Sequence, residues 1–186
     1  MSSPSPHELT VTPALLSDPL VRPLLRGLAH EYTARYGSAA NELSRYPAAE
    51  FAPPHGLLLL LLHDGSAVAG GAYRRLDEHT AELKRIWTHP AHRRRGMARR
   101  VVAELERAAA ARGYRRVWLT TGPRQPEARQ LYLNAGYAPL FDLAAAPETL
   151  HLLPFEKRLA PGETPPGETG PGATATASAD ATVPRI

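Results

Sequence analysis

Apolar residues change their spacing several times along the chain, and each change marks an element. Leu24, Leu25, Leu28 and Tyr32 recur at helical intervals. Asp18-Pro19 supplies a cap and a first turn ahead of them, Pro23 blurs the start, and Gly37 supplies a stop, which predicts a helix ending at Tyr36. Glu8–Thr12 reads as a short strand before it. Glu42–Phe51 reads as a second short helix, interrupted by Pro47 and closed by Pro53-Pro54. The run Leu57–Leu62 is six leucines long. That is far short of the ~20 apolar residues of a membrane helix, so it reads as a fully buried strand. Gly56–His63 and Ala67–Arg74 flank Asp64-Gly65, a hairpin signal. Asp77-Glu78 marks the next turn and Thr80–Thr88 a further strand. Together they predict an antiparallel meander.

The clearest helix is Gly96–Arg112. Met97, Val101, Leu105 and Ala108 form one stripe, and Gly113 is the stop. Arg116–Thr121 is a strand with Val117 and Leu119 on one face. The order strand, helix, strand predicts a parallel pair joined by a right-handed crossover. Gln125-Pro126 opens a short helix to Asn134, stopped by Gly136. Tyr137–Phe141 and His151–Arg158 then read as a closing strand pair. The expected fold is α/β: a mixed, mostly antiparallel twisted sheet of about six to seven strands with helices on both faces. No internal repeat of fixed period is present.

The chain has 186 residues, enough for one domain with its own core. Residues 160–186 are rich in Pro, Gly, Thr and Ala and poor in large apolar side chains, so a disordered tail is expected there. Residues 1–6 read as a short polar leader, which leaves 7–159 as the domain. No cysteine occurs, which excludes disulfides, thiolate metal sites and a cysteine nucleophile. With no basic segment followed by an apolar run at the start, a cytoplasmic location and no membrane association are expected.

The formal charge is +4, with arginines concentrated around Arg93–Arg100. Three of them, Arg93, Arg94 and Arg95, precede Gly96-Met97-Ala98 at a helix start. Helix N-termini present main-chain N–H groups and a positive dipole end to anions. Small residues there let a pyrophosphate approach the backbone closely. The amides from Arg94 to Arg99 would carry such binding, with the arginine side chains assisting. A nucleic-acid patch would instead spread basic residues over a surface and interleave aromatics. His89 and His92 lie in the turn without a carboxylate or cysteine cluster, and surface histidines are the expected reading, with no metal.

These residues resemble the GNAT superfamily of acetyl-CoA-dependent N-acetyltransferases. Arg93-Arg94-Arg95-Gly96-Met97-Ala98 fits the family's Arg/Gln-x-x-Gly-x-Gly/Ala signature. Ala81–Thr88 resembles the strand before it. Thr121–Ala128, Leu131-Tyr132, Gly136-Tyr137 and Phe155-Glu156-Lys157 resemble the family's C-terminal half. The match covers residues 56–158. The resemblance implies a strand edge at Ile86, Trp87 and Thr88 that pairs with the pantetheine arm. It implies pyrophosphate binding by Arg93, Arg94, Arg95, Gly96, Met97, Ala98 and Arg99, and a CoA contact at Gln125. It also implies Tyr132 as general acid toward the leaving thiolate and Glu82 as general base. Each has a plainer alternative: a buried strand end for Ile86–Thr88, a helix cap for Gln125, core packing for Tyr132, an ion-paired strand residue for Glu82. Trp87 packs in the core or lines the site.

Two departures concern the acceptor. Thr120 stands where similar chains often carry glutamate, and Asp142–Thr149 is alanine-rich where they often carry a Gly-Pro-Tyr-like stretch. The implied activity is acetyl transfer to a primary amine of a small molecule or peptide, in a ternary complex, by a monomer or homodimer without nucleic acid. The competing expectation is a catalytically silent acyl-CoA-binding or protein-interaction module of the same fold.

Overall fold

The six consecutive leucines do form a buried strand. Leu58, Leu60 and Leu61 are almost wholly excluded from solvent, and each such side chain contributes about 1.5–3 kcal/mol on burial. The computed structural model describes residues 9–37, 43–146 and 149–160. The expected leader and the tail beyond residue 160 lie outside the described residues, as does Glu42.

Seven strands form one sheet: β1 (Thr10–Ala14), β2 (Leu57–His63), β3 (Ser66–Arg75), β4 (Thr80–Thr88), β5 (Arg116–Thr121), β6 (Ala138–Pro139) and β7 (Leu153–Arg158). Their spatial order is β1-β2-β3-β4-β5-β7-β6. β2, β3 and β4 make the antiparallel meander, and β4 with β5 is the parallel pair. Among the described residues three long α-helices pack on the sheet: α1 (Arg22–Tyr36), α2 (Met97–Ala111) and α3 (Pro126–Asn134).

Two cores share the sheet. On one face α1 buries Leu24 and Leu28 against Leu58, Leu60, Ala72 and Trp87. On the other, α2 and α3 bury Val101, Val102, Leu105 and Tyr132 against Leu59, Leu61, Leu83, Val117, Leu119 and Phe155. Both faces are therefore covered, as expected for a sheet containing a strand–helix–strand crossover.

Several boundaries differ from the sequence expectation. β1 spans Thr10–Ala14, with Thr10 paired to Leu62, so it runs past the expected end at Thr12; Glu8 lies outside the described residues. Of the helix expected over Glu42–Phe51, Leu43 and Ser44 are helical, and past Pro47 the chain continues as a single 3-10 turn over Ala48–Phe51, because proline cannot donate the helical hydrogen bond. A 3-10 turn at Pro19–Val21, capped by Asp18, precedes α1. The buried stripe of α2 is Val101, Val102, Leu105 and Ala109, with Met97 and Ala108 at its margin. The closing strands are shorter than expected, and β6 has only 2 residues.

Candidate active site

β4 and β5 pair only at their starts. The register runs Thr80 to Arg116, Ala81 to Val117 and Glu82 to Trp118, and stops there. Beyond Glu82 the two strands separate, so the edge of β4 from Leu83 onward has no strand partner on that side. β4 also carries a bulge. Gly70 pairs with Trp87 and Ala72 with Lys84, so Arg85 and Ile86 together oppose Gly71. Arg85 adopts φ +61°, a left-handed conformation uncommon outside glycine. Bulges of this kind bend a strand and redirect its edge. The outcome is a wedge-shaped opening in the middle of the sheet, lined on one side by main-chain groups that a peptide-like ligand can satisfy.

The basic turn stands at the mouth of that opening. β4 ends at Thr88, a 3-10 turn covers Pro90–His92, and Gly96 at φ 77° begins α2. Arg94 is also left-handed, at φ 59°. Left-handed residues alternating with right-handed ones direct neighbouring main-chain N–H groups into a shared concavity. No side chain caps α2 and no acidic residue lies in its first turn, so the first amides of the helix have no partner within it. A Cβ added at Gly96 would meet nothing within 4 Å. Arg94, Arg95 and Arg99 are exposed around this space. Arg93 is engaged differently: it donates to the Thr88 carbonyl at 3.3 Å and pairs with Glu31 of α1. Thr88 Oγ1 is buried without a hydrogen-bond partner. An open cradle at a glycine, exposed cations around uncapped amides and an orphaned hydroxyl at the strand end together fit a diphosphate carried on an amide-containing arm.

The structure gives the remaining candidates distinct positions. Trp87 is a core residue on the α1 face, its indole beneath Gly27. Only its main chain remains available to the opening. Ile86 lies on the other face, against Gly71. Met97 and Ala98 are half-buried in the first turn of α2. Gln125 turns its Oε1 back to accept from Thr121 Oγ1 at 2.9 Å and Gly122 N at 3.2 Å, bracing the loop after β5. His89 accepts from Ala91 N through Nδ1, and its ring packs edge-on against Trp87 and His92. Among the described residues no group of three or more histidine, cysteine or acidic side chains is placed to hold a metal.

Tyr132 is buried, its ring against Tyr137 and Phe155. Burial, with the phenol of Tyr32 nearby, holds its pKa well above the ordinary phenol value. The hydroxyl therefore carries its proton at any physiological pH, the state needed of a donor. Tyr32 belongs to α1, on the opposite face of the sheet.

Glu82 is almost completely buried on β4. Its Oε2 accepts from Arg74 Nε at 2.6 Å and its Oε1 lies 3.0 Å from Lys84 Nζ. Arg74 also binds Glu50 at 2.7 Å and stacks over Tyr46 at 4.1 Å. The carboxylate thus sits in a network of alternating charge.

The sequence reading did not single out the far half of α1. Glu31 meets Arg93 beyond β4, and Arg35 meets Glu127 at the start of α3. Arg35 also donates to the Arg124 carbonyl at 2.7 Å, and Arg124 donates back to the Arg35 carbonyl at 2.8 Å. These contacts join positions 62 to about ninety apart in the chain, and no local pattern announces them.

The fold and this site define a class, the acyltransferases built around a split parallel strand pair. A family model described as "Acetyltransferase (GNAT) family" matches residues 23–137, and the chain belongs to that family. A curated relative, the uncharacterized N-acetyltransferase YsnE of Bacillus subtilis, is 36% identical over 77 residues, which cover 40% of this chain and 51% of YsnE. The aligned segment thus spans about half of that relative. A Klebsiella pneumoniae structure assigned as an acyl-CoA N-acyltransferase superposes with TM-score 0.63 at 26% identity, covering 82% of this chain and 98% of that one. A GNAT acetyltransferase from Elizabethkingia anophelis with acetyl-CoA bound superposes with TM-score 0.59 at 14% identity, covering 81% and 98%.

Proposed function

We propose that this chain transfers an acetyl group from acetyl-CoA to a primary amine of a small molecule or peptide, by direct attack within a ternary complex. The observation that carries this reading is the β4–β5 opening, with an uncapped, arginine-flanked glycine turn at its mouth. Acetyl-CoA bound in the Elizabethkingia anophelis relative of the same fold supports it. The turn from Arg93 to Arg99 holds the pyrophosphate, chiefly through main-chain amides. The free edge of β4 at Ile86–Thr88 pairs with the pantetheine amides, and an N–H of that edge polarises the thioester carbonyl. Gln125 supports the CoA arm from the β5 side through the loop it braces.

Tyr132 donates its proton to the departing sulfur. Glu82 is the destination of the acceptor's proton. Glu82 is almost completely buried between Arg74 and Lys84, so the proton reaches it through a bridging water on a remaining carboxylate lone pair.

The deciding experiment combines CoA-induced thermal stabilisation with thiol release from acetyl-CoA across a panel of amines, amino acids and peptides. Stabilisation together with amine-dependent thiol release is the expected result. Stabilisation with no turnover on any acceptor would instead favour a silent acyl-CoA-binding module. Replacing Gly96 by Val fills the cradle and strains a left-handed position, so it should abolish CoA binding by calorimetry. Wild-type affinity in Gly96→Val would place the pyrophosphate elsewhere.

A further inference from the structure

α1 crosses the sheet on a path that packing sets at both ends. At Gly27 the helix rests on β4, because an added Cβ would lie 2.0 Å from Trp87 Nε1. At Tyr36 it rests on the loop after β5, because an added Cβ at Gly122 would strike the Tyr36 hydroxyl. The ion pairs repeat this span, Glu31 reaching Arg93 beyond β4 and Arg35 reaching Glu127 beyond β5. The residues between Gly27 and Tyr36 therefore overhang the opening where β4 and β5 part. Leu28, Tyr32 and Tyr36 are spaced by one helical turn and share the inward face. Leu28 is buried beneath α1, and the Tyr32 ring packs against the same core. Tyr132 lies in the core on the other face of the sheet, and the Tyr32 phenol adds to the rise of its pKa.

We infer that the Tyr32 hydroxyl positions the acceptor amine, accepting a hydrogen bond from its N–H on the α1 side of the opening. The inference rests on the acetyl-transfer reading above. In the step it serves, a nitrogen–carbon bond forms and the carbon–sulfur bond breaks. The nitrogen loses a proton toward Glu82 and solvent, the sulfur gains one from Tyr132, and Tyr32 keeps its own. Solvent then returns a proton to Tyr132. Nucleophile and leaving group are thus handled from opposite faces of the sheet. A group held in this way is worth having because orientation of the attacking atom, about 3–3.5 Å from its target, supplies much of the rate.

The test uses Tyr32→Phe, which keeps the ring and its packing, with hydroxylamine as the acceptor probe because so small a nucleophile needs no dedicated pocket. The expected result is a KM for hydroxylamine raised roughly three- to ten-fold, the loss of one hydrogen bond, with the KM for acetyl-CoA and the melting temperature unchanged. A crystal structure with CoA should place Tyr32 Oη within roughly 6 Å of the sulfur, the reach of one bridging amine. Unchanged hydroxylamine kinetics in Tyr32→Phe, or a hydroxyl beyond that reach, overturns the role of Tyr32 and leaves acetyl transfer standing. A wild type that binds CoA yet acetylates nothing, hydroxylamine included, overturns acetyl transfer itself and this role with it.

Discussion

Tyr132 is a core residue for which a catalytic role is proposed, and the two contributions can be separated. Its spacing with Ala128, Leu131 and Ala135 is that of a core residue, and its ring is indeed in the core against Tyr137 and Phe155. Its phenol nonetheless stands where it is influenced by a residue of the opposite face. Tyr132→Phe separates the two contributions, because the ring stays and only the hydroxyl goes. It should lower kcat by ~10²-fold, the usual size of a general-acid term, with little change in melting temperature. A normal kcat with chemistry rate-limiting would leave Tyr132 a purely packing role. Glu82 presents the converse case. The sequence offers a carboxylate on a strand, while the fold surrounds it with Arg74 and Lys84. Glu82→Gln should depress kcat and shift or remove the acidic limb of the kcat/KM profile, with partial recovery at high pH as free amine accumulates. If the profile and both constants stay unchanged, Glu82 serves only to hold the network together.

At the scale of elements, the central feature is that β4 and β5 are hydrogen-bonded over three residue pairs and then part. The bulge at Arg85–Ile86 bends β4, and α1 bridges the opening that results. The close approach of α1 depends on glycine at position 27, where the helix backbone lies on the Trp87 indole. Gly27→Ala improves helix propensity by about 1 kcal/mol, yet it drives a methyl into a buried ring. The overpacking cost of about 1–3 kcal/mol should prevail, because the sheet beneath Trp87 leaves it little room to move. The measurement is the denaturation midpoint, which should fall. A midpoint equal to or above the wild type would show that α1 can lift without cost.

For the whole molecule, the buried phenols make a prediction about pH. Burial raises the pKa of Tyr132, and burial with the Glu106 carboxylate raises that of Tyr137. In the unfolded chain both return to the ordinary value of about 10. A raised folded pKa means the folded state binds the proton more tightly, so this stabilisation is complete below pH of about 10 and is lost as pH climbs further. Calorimetry should show a melting temperature that falls steeply above that point, and Tyr137→Phe should make the fall shallower. An identical alkaline slope in Tyr137→Phe would mean that its phenol ionises without cost in the folded protein. No helix among the described residues is long and apolar enough to cross a membrane.

Local pattern determined much of this protein. The leucine run, the Asp64-Gly65 turn and the α2 stripe specified the meander and the crossover, because strand, turn and helix signals act over a few residues. The arginine–glycine turn was legible for the same reason: close backbone approach needs small residues at the positions where they stand. Boundaries slipped where prolines and short strands made the local signal weak, at β1, at Ala48–Phe51 and at β6. Tertiary structure alone decided which side chains meet. It placed Trp87 beneath Gly27, paired Glu82 with Arg74 and Lys84, and laid the Leu28–Tyr32–Tyr36 stripe across the opening. The Glu82 pairs follow from the β3–β4 register, while Trp87 and Gly27 are far apart in the chain and only the packing of α1 on the sheet brings them together.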